Sequence, residues 1–464
     1  MQPVLLIDVV GLTRRQIGER TPHLAALAER GACAPMDGVL PAVTCSAQAT
    51  MLTATQPARH GAVGNGWFER ESGEVALWRQ SNRLVSGPKL YERLREREPQ
   101  ATCAKLFWWW NLGAAVDWSI TPRPFYPADG RKIVAVYGWP ASYAADLERA
   151  LGPFPFFDFW GPRAGLASSR WIADATIRTL EERRPTLTLC YLPHLDYDHQ
   201  RFGPRAPRSL EALSEVDALV GDLCLAAERL GVEVMVVSEY GLRDVDTPVH
   251  INRALRKEGL LAVRETPTGE VLDVFASEAF AVSDHQVAHV YARTSEACTS
   301  ADLVLRNLAG VDQVLDRRAQ RKFGLDHARS GDLVALARPA AWFTYYYWLD
   351  DARAPDFART VDIHRKPGYD PCELFVDPSL RAPRLRVARR LLQKALGMRY
   401  LMDVIPLDAT LVKGSHGRLA DDPADGPLFV CSRPFGACGP EPSDGLVHMT
   451  SVSERVLALV FAQA

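Results

Sequence analysis

Apolar residues along this chain come in two rhythms, and the shorter of the two repeatedly ends close to an acid. Val4-Leu5-Leu6-Ile7 runs into Asp8, Leu187 to Leu192 precedes Asp196 by four residues, and Val234-Met235-Val236-Val237 is followed by Ser238 and Glu239. Short continuous apolar runs of this kind suit strands buried on both faces. The longer rhythm is helical. After Ser209, apolar side chains fall at Leu210, Leu213, Val216, Val220, Leu223, Ala227 and Leu230 before Gly231 stops the run. A shorter helix is predicted from Pro22, capped by Thr21, with Leu24 and Leu27 inward and Gly31 at its end. A helix leading straight into a strand marks parallel strand–helix–strand units, so the pattern predicts a doubly wound, mostly parallel α/β sheet. Such sheets gather functional groups outside the carboxyl ends of their strands. Asp8, Asp196 and Glu239 would then converge, which suggests a polyvalent metal site.

Two stretches interrupt this alternation. From about 67 to 171 lie nine of the 11 tryptophans, including Trp108-Trp109-Trp110. Aromatics at such density build core packing first and substrate walls second. From about 256 to 345, short strand-like runs and a charged helical segment around Leu315 to Arg321 predict a small α+β lid. The expected organisation is a core of 1–255 and 346–464 carrying the aromatic insert, with 256–345 as the lid.

Composition narrows the partners. With 464 residues, 47% hydrophobic and 24% charged, the chain can bury a sizeable core. A net charge of -2 predicts no general attraction to a nucleic acid polymer or an anionic membrane. No uninterrupted apolar run reaches the length of a membrane span. The first residues lack the basic segment and cleavage site of a secretory signal, and nine scattered cysteines form no CxxC pair. These features lead to the expectation of a cytoplasmic protein with reduced thiols.

Chemistry concentrates around Thr44. In Pro41-Ala42-Val43-Thr44-Cys45-Ser46-Ala47-Gln48-Ala49-Thr50-Met51-Leu52, an extended entry meets small residues that open a helix. A hydroxyl there faces unpaired backbone N–H groups, which suit a phosphate and an alkoxide. Metal coordination would complete its activation as a nucleophile. Taken locally, a simple helix cap explains Thr44 equally well, and Cys45 is the weaker nucleophile.

Read together, Leu6-Ile7-Asp8, the PAVTCSAQATM segment, His60-Gly61-Ala62-Val63-Gly64-Asn65, Arg201-Phe202-Gly203-Pro204 and Gly414-Ser415-His416-Gly417 resemble the alkaline phosphatase superfamily. The resemblance is to its type I phosphodiesterase and nucleotide pyrophosphatase branch, which also includes phosphonoacetate hydrolase. The five segments occur in the family's order and span most of the chain. The resemblance implies two divalent metal ions, zinc first and manganese as the alternative. Asp8 and Thr44 would serve one ion and Asp196 and His416 the other, with Glu239 as a further ligand. Thr44 would be the nucleophile, forming a phosphothreonine, and Asn65 would hold a phosphoryl oxygen. The implied activity is hydrolysis of a phosphodiester, pyrophosphate or related phosphorus ester of a small phosphorylated molecule. Alternatives on the same core are a carbon–phosphorus hydrolase or phosphomutase-type enzyme, and a degenerate member that binds without turnover.

The chain departs from the family pattern at the ligands. Gln200 stands where a histidine is expected, with His199 one position early, and Glu239-Tyr240-Gly241 stands where an Asp-His pair precedes glycine. Glutamine is a weak neutral ligand and tyrosine a poor substitute for imidazole. His199, the pair Asp284-His285 and His364 are candidate replacements. His194 is a candidate for a hydrogen bond to Asp196. His250 is a weaker candidate, and His60 is expected to hold the loop presenting Asn65. Lys366, beside Arg365, could meet a substrate phosphate or simply be solvated. Trp108 and Trp109 could wall an organic leaving-group pocket.

Overall fold

The computed structural model describes residues 1–128 and 132–462. Its centre is a nine-stranded sheet. In spatial order the strands are Val447–His448, Ala32–Asp37, Leu428–Cys431, Glu233–Val237, Val4–Val9, Leu187–Leu192, Cys103–Leu106, Trp118–Pro122 and Val136–Trp139. From Glu233–Val237 to Trp118–Pro122 every pairing is parallel. Antiparallel partners flank this block on both sides. The sheet is therefore mostly parallel, as the alternation of apolar runs and helices predicts.

All six residues of Val4–Val9 and of Leu187–Leu192 are buried. Successive strand side chains point to opposite faces, so both faces of the sheet must be covered. Two groups of helices supply the cover. Pro22–Arg30 and Leu166–Arg183 each pack on Pro207–Arg229, while Thr44–Thr53 and Leu90–Arg97 each pack on Val452–Val460 to form the second group. The helix expected after Ser209 runs Pro207–Arg229, and the one expected from Pro22 runs Pro22–Arg30. Its cap differs from expectation. Thr21 turns back to donate to Gln16 O at 2.8 Å, and the open N–H groups of His23 and Leu24 are taken by the Asp217 carboxylate at 3.1 and 2.9 Å. A carboxylate from the neighbouring helix satisfies two donors and meets the positive helix end, which one hydroxyl cannot match.

A second, antiparallel sheet is ordered Ala279–Asp284, Val287–Ala292, Leu333–Ala337, Val311–Leu315. Its apolar cluster reaches outside 256–345 on both sides, taking in Val249 and Ile251 before it and Tyr346, Trp348, Tyr369 and Ile405 after it. The first two strands form a hairpin whose turn is only His285-Gln286, and His285 adopts φ +59°. Two-residue hairpin turns need a positive φ, an uncommon conformation for histidine. The turn aims His285 at the carboxyl edge of the main sheet. Among the described residues no helix is long and apolar enough to cross a membrane.

The tryptophan triplet divides between roles. Trp108 is wholly buried in the main core and donates its indole N–H to Cys190 O at 2.9 Å. Trp110 donates to Cys45 O at 3.0 Å, fastening the start of the Thr44 helix. Only Trp109 reaches the cleft described below. Trp108→Ala should therefore cost about 3–5 kcal/mol of stability, read from urea unfolding. A loss below about 1 kcal/mol would contradict a core role for Trp108.

Candidate active site

The register of the central strands does the first work. Asp8 lies level with Tyr191 on one side and Val237 on the other, so Glu239 follows two residues past the edge and Asp196 opens the next helix. Parallel pairing thus brings three acids remote in sequence to one end of the sheet. Thr44 begins the helix Thr44–Thr53 and lies 4% exposed at the base of a cleft. Its hydroxyl donates to Glu239 Oε2 at 2.7 Å. A threonine has one proton to give, so at the 3.3 Å contact with Tyr240 the phenol is the donor.

Gln48, one helical turn after Thr44 and on the same face, stands between the first two carboxylates. Its amide nitrogen donates to Asp8 Oδ2 at 3.2 Å and to Glu239 Oε1 at 2.7 Å. Its carbonyl oxygen accepts the Trp109 backbone N–H at 2.6 Å. That last bond fixes which way the amide faces, because reversing it would turn an N–H toward a donor and an oxygen toward two carboxylates. Burial, with the charge of Glu239 second, pushes Asp8 well above the ordinary carboxylate range. Burial also raises Glu239, against the hydrogen bonds it accepts from Thr44 and Gln48. Both carboxyls are thus pushed toward the neutral form, Asp8 the further of the two.

A parallel arrangement serves Asp196. Gln200 donates to its Oδ2 at 2.6 Å and accepts the Tyr369 hydroxyl at 2.9 Å. Asp196 lines the cleft, and burial pushes it up to about 7. Asn65 is clamped on three sides. Its Oδ1 accepts Cys45 N–H at 3.0 Å, and its backbone and side-chain nitrogens donate to Asp284 at 2.8 and 3.1 Å. Asp284 therefore orients Asn65. The second amide hydrogen of Asn65, on a side chain that lines the cleft, is left for a ligand.

Four rings stack across the site. Tyr240 lies on His416 with centroids 3.6 Å apart, His416 is 3.6 Å from His285, and His285 is 3.8 Å from Tyr369. His416 Nδ1 donates to Ala42 O at 2.7 Å, leaving Nε2 as the acceptor, 3.9 Å from Asp196 Oδ1. Its loop is pinned between chain segments: Gln286 N–H donates to His416 O and Ala42 N–H to Gly417 O, each at 2.8 Å. Gly417 has φ +118°, and a Cβ there would come within 2.9 Å of Gln286 N, so the approach requires glycine. Burial drives both histidines down, His416 to about 3 and His285 well below the usual range, so both are neutral.

The donor set does not fit two closed metal sites. Asp8 Oδ1, Asp196 Oδ1 and His285 Nδ1 lack partners, which is what a cation would accept. Yet among the described residues no three His, Cys, Asp or Glu side chains converge on a common point. A structural zinc takes four ligands and a catalytic one at least three from protein. Where histidine ligands are expected, Gln200 and Tyr240 contribute hydrogen-bond donors instead, and Gln48 places a further donor between Asp8 and Glu239.

The remaining candidates disperse. His364 lines the cleft with Nδ1 3.4 Å from Leu77 O. His199 is wholly buried, with neither ring nitrogen partnered and neutralised by burial, and does not line the cleft. His194, wholly buried, bonds Glu215 at 2.7 Å rather than Asp196. His250 bonds Thr344, and His60 bonds Thr50 and the Ala62 N–H, holding the loop before Asn65. Lys366 is buried in ion pairs with Asp370 and Glu373, both at 2.7 Å, and does not line the cleft. Cys45 is wholly buried. The cleft itself is walled by Trp78, Trp109, Trp160, Tyr197 and Tyr369, with Arg123 and Lys132 among its lining residues. Of these groups, sequence reasoning anticipated only Trp109. Gln48 was detectable from its one-turn spacing to Thr44.

Residues 4–370 match the model of a family described as type I phosphodiesterase / nucleotide pyrophosphatase. An uncharacterized pyrophosphatase/phosphodiesterase of Schizosaccharomyces pombe is 25% identical over 238 residues, 48% of this chain and 41% of that relative. This match thus spans less than half of the curated relative's length. Phosphonoacetate hydrolase of Sinorhizobium meliloti, in complex with phosphonoformate, is similar with TM-score 0.62 and 16% identity, covering 99% of this chain and 96% of that one. Human ectonucleotide pyrophosphatase / phosphodiesterase 5 gives TM-score 0.59 and 13% identity over 100% and 96%. An inactive variant of the murine protein, in complex with AMP, gives 0.59 and 14% over the same shares. At these identities the structural likeness establishes the fold.

Asp196 yields a test with a definite sign. Its folded carboxyl, raised to about 7, keeps a proton that the unfolded chain has lost above its ordinary 3.8. Its contribution to stability therefore falls as pH rises from about 4 to 7, and the whole penalty is present above 7. Asp196→Asn keeps the bond from Gln200 and removes the ionisation. Without added metal it should raise the melting temperature at pH 8 and raise it by clearly less at pH 5, where only the first part of the penalty has accrued. A melting temperature lowered more at pH 8 than at pH 5 would contradict this electrostatic picture.

Proposed function

Because this chain belongs to the type I phosphodiesterase / nucleotide pyrophosphatase family, a family of phosphoric ester hydrolases, we propose that it cleaves a phosphodiester or pyrophosphate through Thr44. The observation that carries this reading is the 2.7 Å hydrogen bond from Thr44 to Glu239 at the base of a cleft. A hydroxyl is a weak nucleophile until a base takes its proton as it attacks. Thr44 Oγ1 would bond to phosphorus as the bond to the leaving oxygen breaks, its proton passing to Glu239 Oε2. Asp196, whose Oδ1 lacks a partner, would give its proton to the leaving oxygen. Water would then attack the phosphothreonine and return a proton to Asp196, while Thr44 recovers its own from Glu239.

The free N–H of Asn65 would meet the charge gathering on a phosphoryl oxygen, held in position by Asp284. Arg123 and Lys132 add positive charge to the cleft lining, and the aromatic walls suit a planar leaving group such as a nucleoside. AMP in the murine relative is in keeping with that chemistry. The two divalent ions implied by the family pattern enter no step here, since the donors present do not fit them. That same shortfall is the observation favouring the second reading, a protein that binds a phosphorylated metabolite without cleaving it.

Thr44→Ala should lower turnover of a susceptible ester by about three orders of magnitude and leave no phosphoenzyme in acid-quenched intact-mass spectra. Thr44→Ser should keep part of the activity. Near-normal turnover by the alanine variant would rule out Thr44 as the nucleophile, and binding without turnover by the wild type would favour the second reading. Trp160→Ala should raise KM for a nucleotidyl ester about tenfold more than for a methyl ester. An equal rise for both would contradict the aromatic wall.

A further inference from the structure

We propose that the Gln48 side-chain amide takes the place of a metal ion at this centre, so that Thr44 is activated by Glu239 and the chemistry proceeds without a divalent cation. The inference rests on the hydrolase reading for its catalytic half only. Its structural half stands on the hydrogen-bond pattern. A cation between Asp8 and Glu239 needs oxygen or nitrogen lone pairs pointing at it. What points there is an NH₂ group with one hydrogen on each carboxylate, at 3.2 and 2.7 Å. The Trp109 backbone N–H, 2.6 Å from the amide oxygen, prevents the group from presenting its oxygen instead.

The second centre repeats the substitution. At Asp196 the expected imidazole is replaced by the Gln200 amide, an N–H donor at 2.6 Å, whose oxygen is occupied by the Tyr369 hydroxyl at 2.9 Å. His416 offers one acceptor nitrogen, and the Tyr240 ring stacks on its face with centroids 3.6 Å apart. Asp196 and His416 alone make a pair 3.9 Å apart. The unpartnered Asp8 Oδ1 and Asp196 Oδ1 are the strongest contrary signs, but one oxygen each does not build a four-ligand shell. Two replacements, at 200 and 240, exchange a ligand's lone pair for a hydrogen-bond donor, and Gln48 adds a third donor between Asp8 and Glu239.

The proton balance needs no cation. Thr44 Oγ1 gains its bond to phosphorus as its proton moves to Glu239 Oε2, and Gln48 keeps that carboxylate oriented throughout. Gln48 is a positioning residue, acting through Glu239.

The test is metal content and binding of the full-length protein, with activity measured beside it. After dialysis against zinc or manganese and removal of excess, elemental analysis should find less than about 0.2 ion per chain. Calorimetric titration of the wild type with either ion should give no saturable binding. Gln48→Glu, which puts carboxylate oxygens where the NH₂ stands, should create a single site, with affinity at least about tenfold above wild type. Gln48→His is the second variant should the glutamate fail to fold. Hydrolysis by wild type should change by less than about twofold with EDTA. About two ions per chain, or turnover lost to EDTA and restored by metal, would overturn the proposal. Wild-type binding as tight as that of Gln48→Glu would overturn it too. Absence of turnover under every condition, with no metal bound, would reject the hydrolase reading while leaving the amide-for-metal assignment standing.

Discussion

Two carboxylates brought side by side in a dry interior repel each other unless positive charge or protons stand between them. The parallel register of Val4–Val9 with Glu233–Val237 forces Asp8 and Glu239 into this situation, and everything around them answers it. The Gln48 amide gives one hydrogen to each, and burial pushes both carboxyls toward the neutral form. Because Gln48 lies one turn from Thr44, the same helix that bridges the carboxylates also delivers the hydroxyl to one of them. Moving that helix would uncouple both at once. It is held by Trp109 N–H on Gln48, by Trp110 on Cys45 O and by Asn65 on Cys45 N–H.

The other half of the site is tied to the first through the ring stack. The hairpin tip at His285, the Gly414–Gly417 loop and the Tyr240 segment come from three distant parts of the chain. Their contacts are aromatic faces and backbone hydrogen bonds, with both histidines neutral. Such a column joins the three segments face to face along the cleft lining. It also explains why a histidine tolerates a positive φ at the turn: the packing on both faces of the ring offsets the local strain.

Much of this was legible in the sequence. Apolar runs ending near Asp8, Asp196 and Glu239 announced the sheet edge, and the long amphipathic run after Ser209 announced its cover. Thr44 and Asn65 followed from motifs, and the departures at Gln200 and Tyr240 were visible as departures. Their meaning was not. Whether a glutamine is a weak ligand or a donor depends on which way its amide faces, and Trp109 N–H and Tyr369 OH decide that only in three dimensions. Asp284 and His285 illustrate the same limit: both reach the site, one as the clamp on Asn65 and the other as a stacked ring. Lys366 had the charge for phosphate, but a four-residue spacing to Asp370 and a fold contact with Glu373 consume it. Thr21 lost its capping role to Asp217, a competitor from another helix that no local pattern reveals.

The central claim is that an amide occupies the position a cation would take. Anomalous diffraction from crystals grown with millimolar zinc or manganese tests it most directly. The account predicts no anomalous peak between Asp8 and Glu239, with the Gln48 nitrogen within hydrogen-bond distance of both carboxylates. A peak about 2.0–2.2 Å from oxygens of Asp8 and Glu239, with Gln48 displaced from between them, would contradict it.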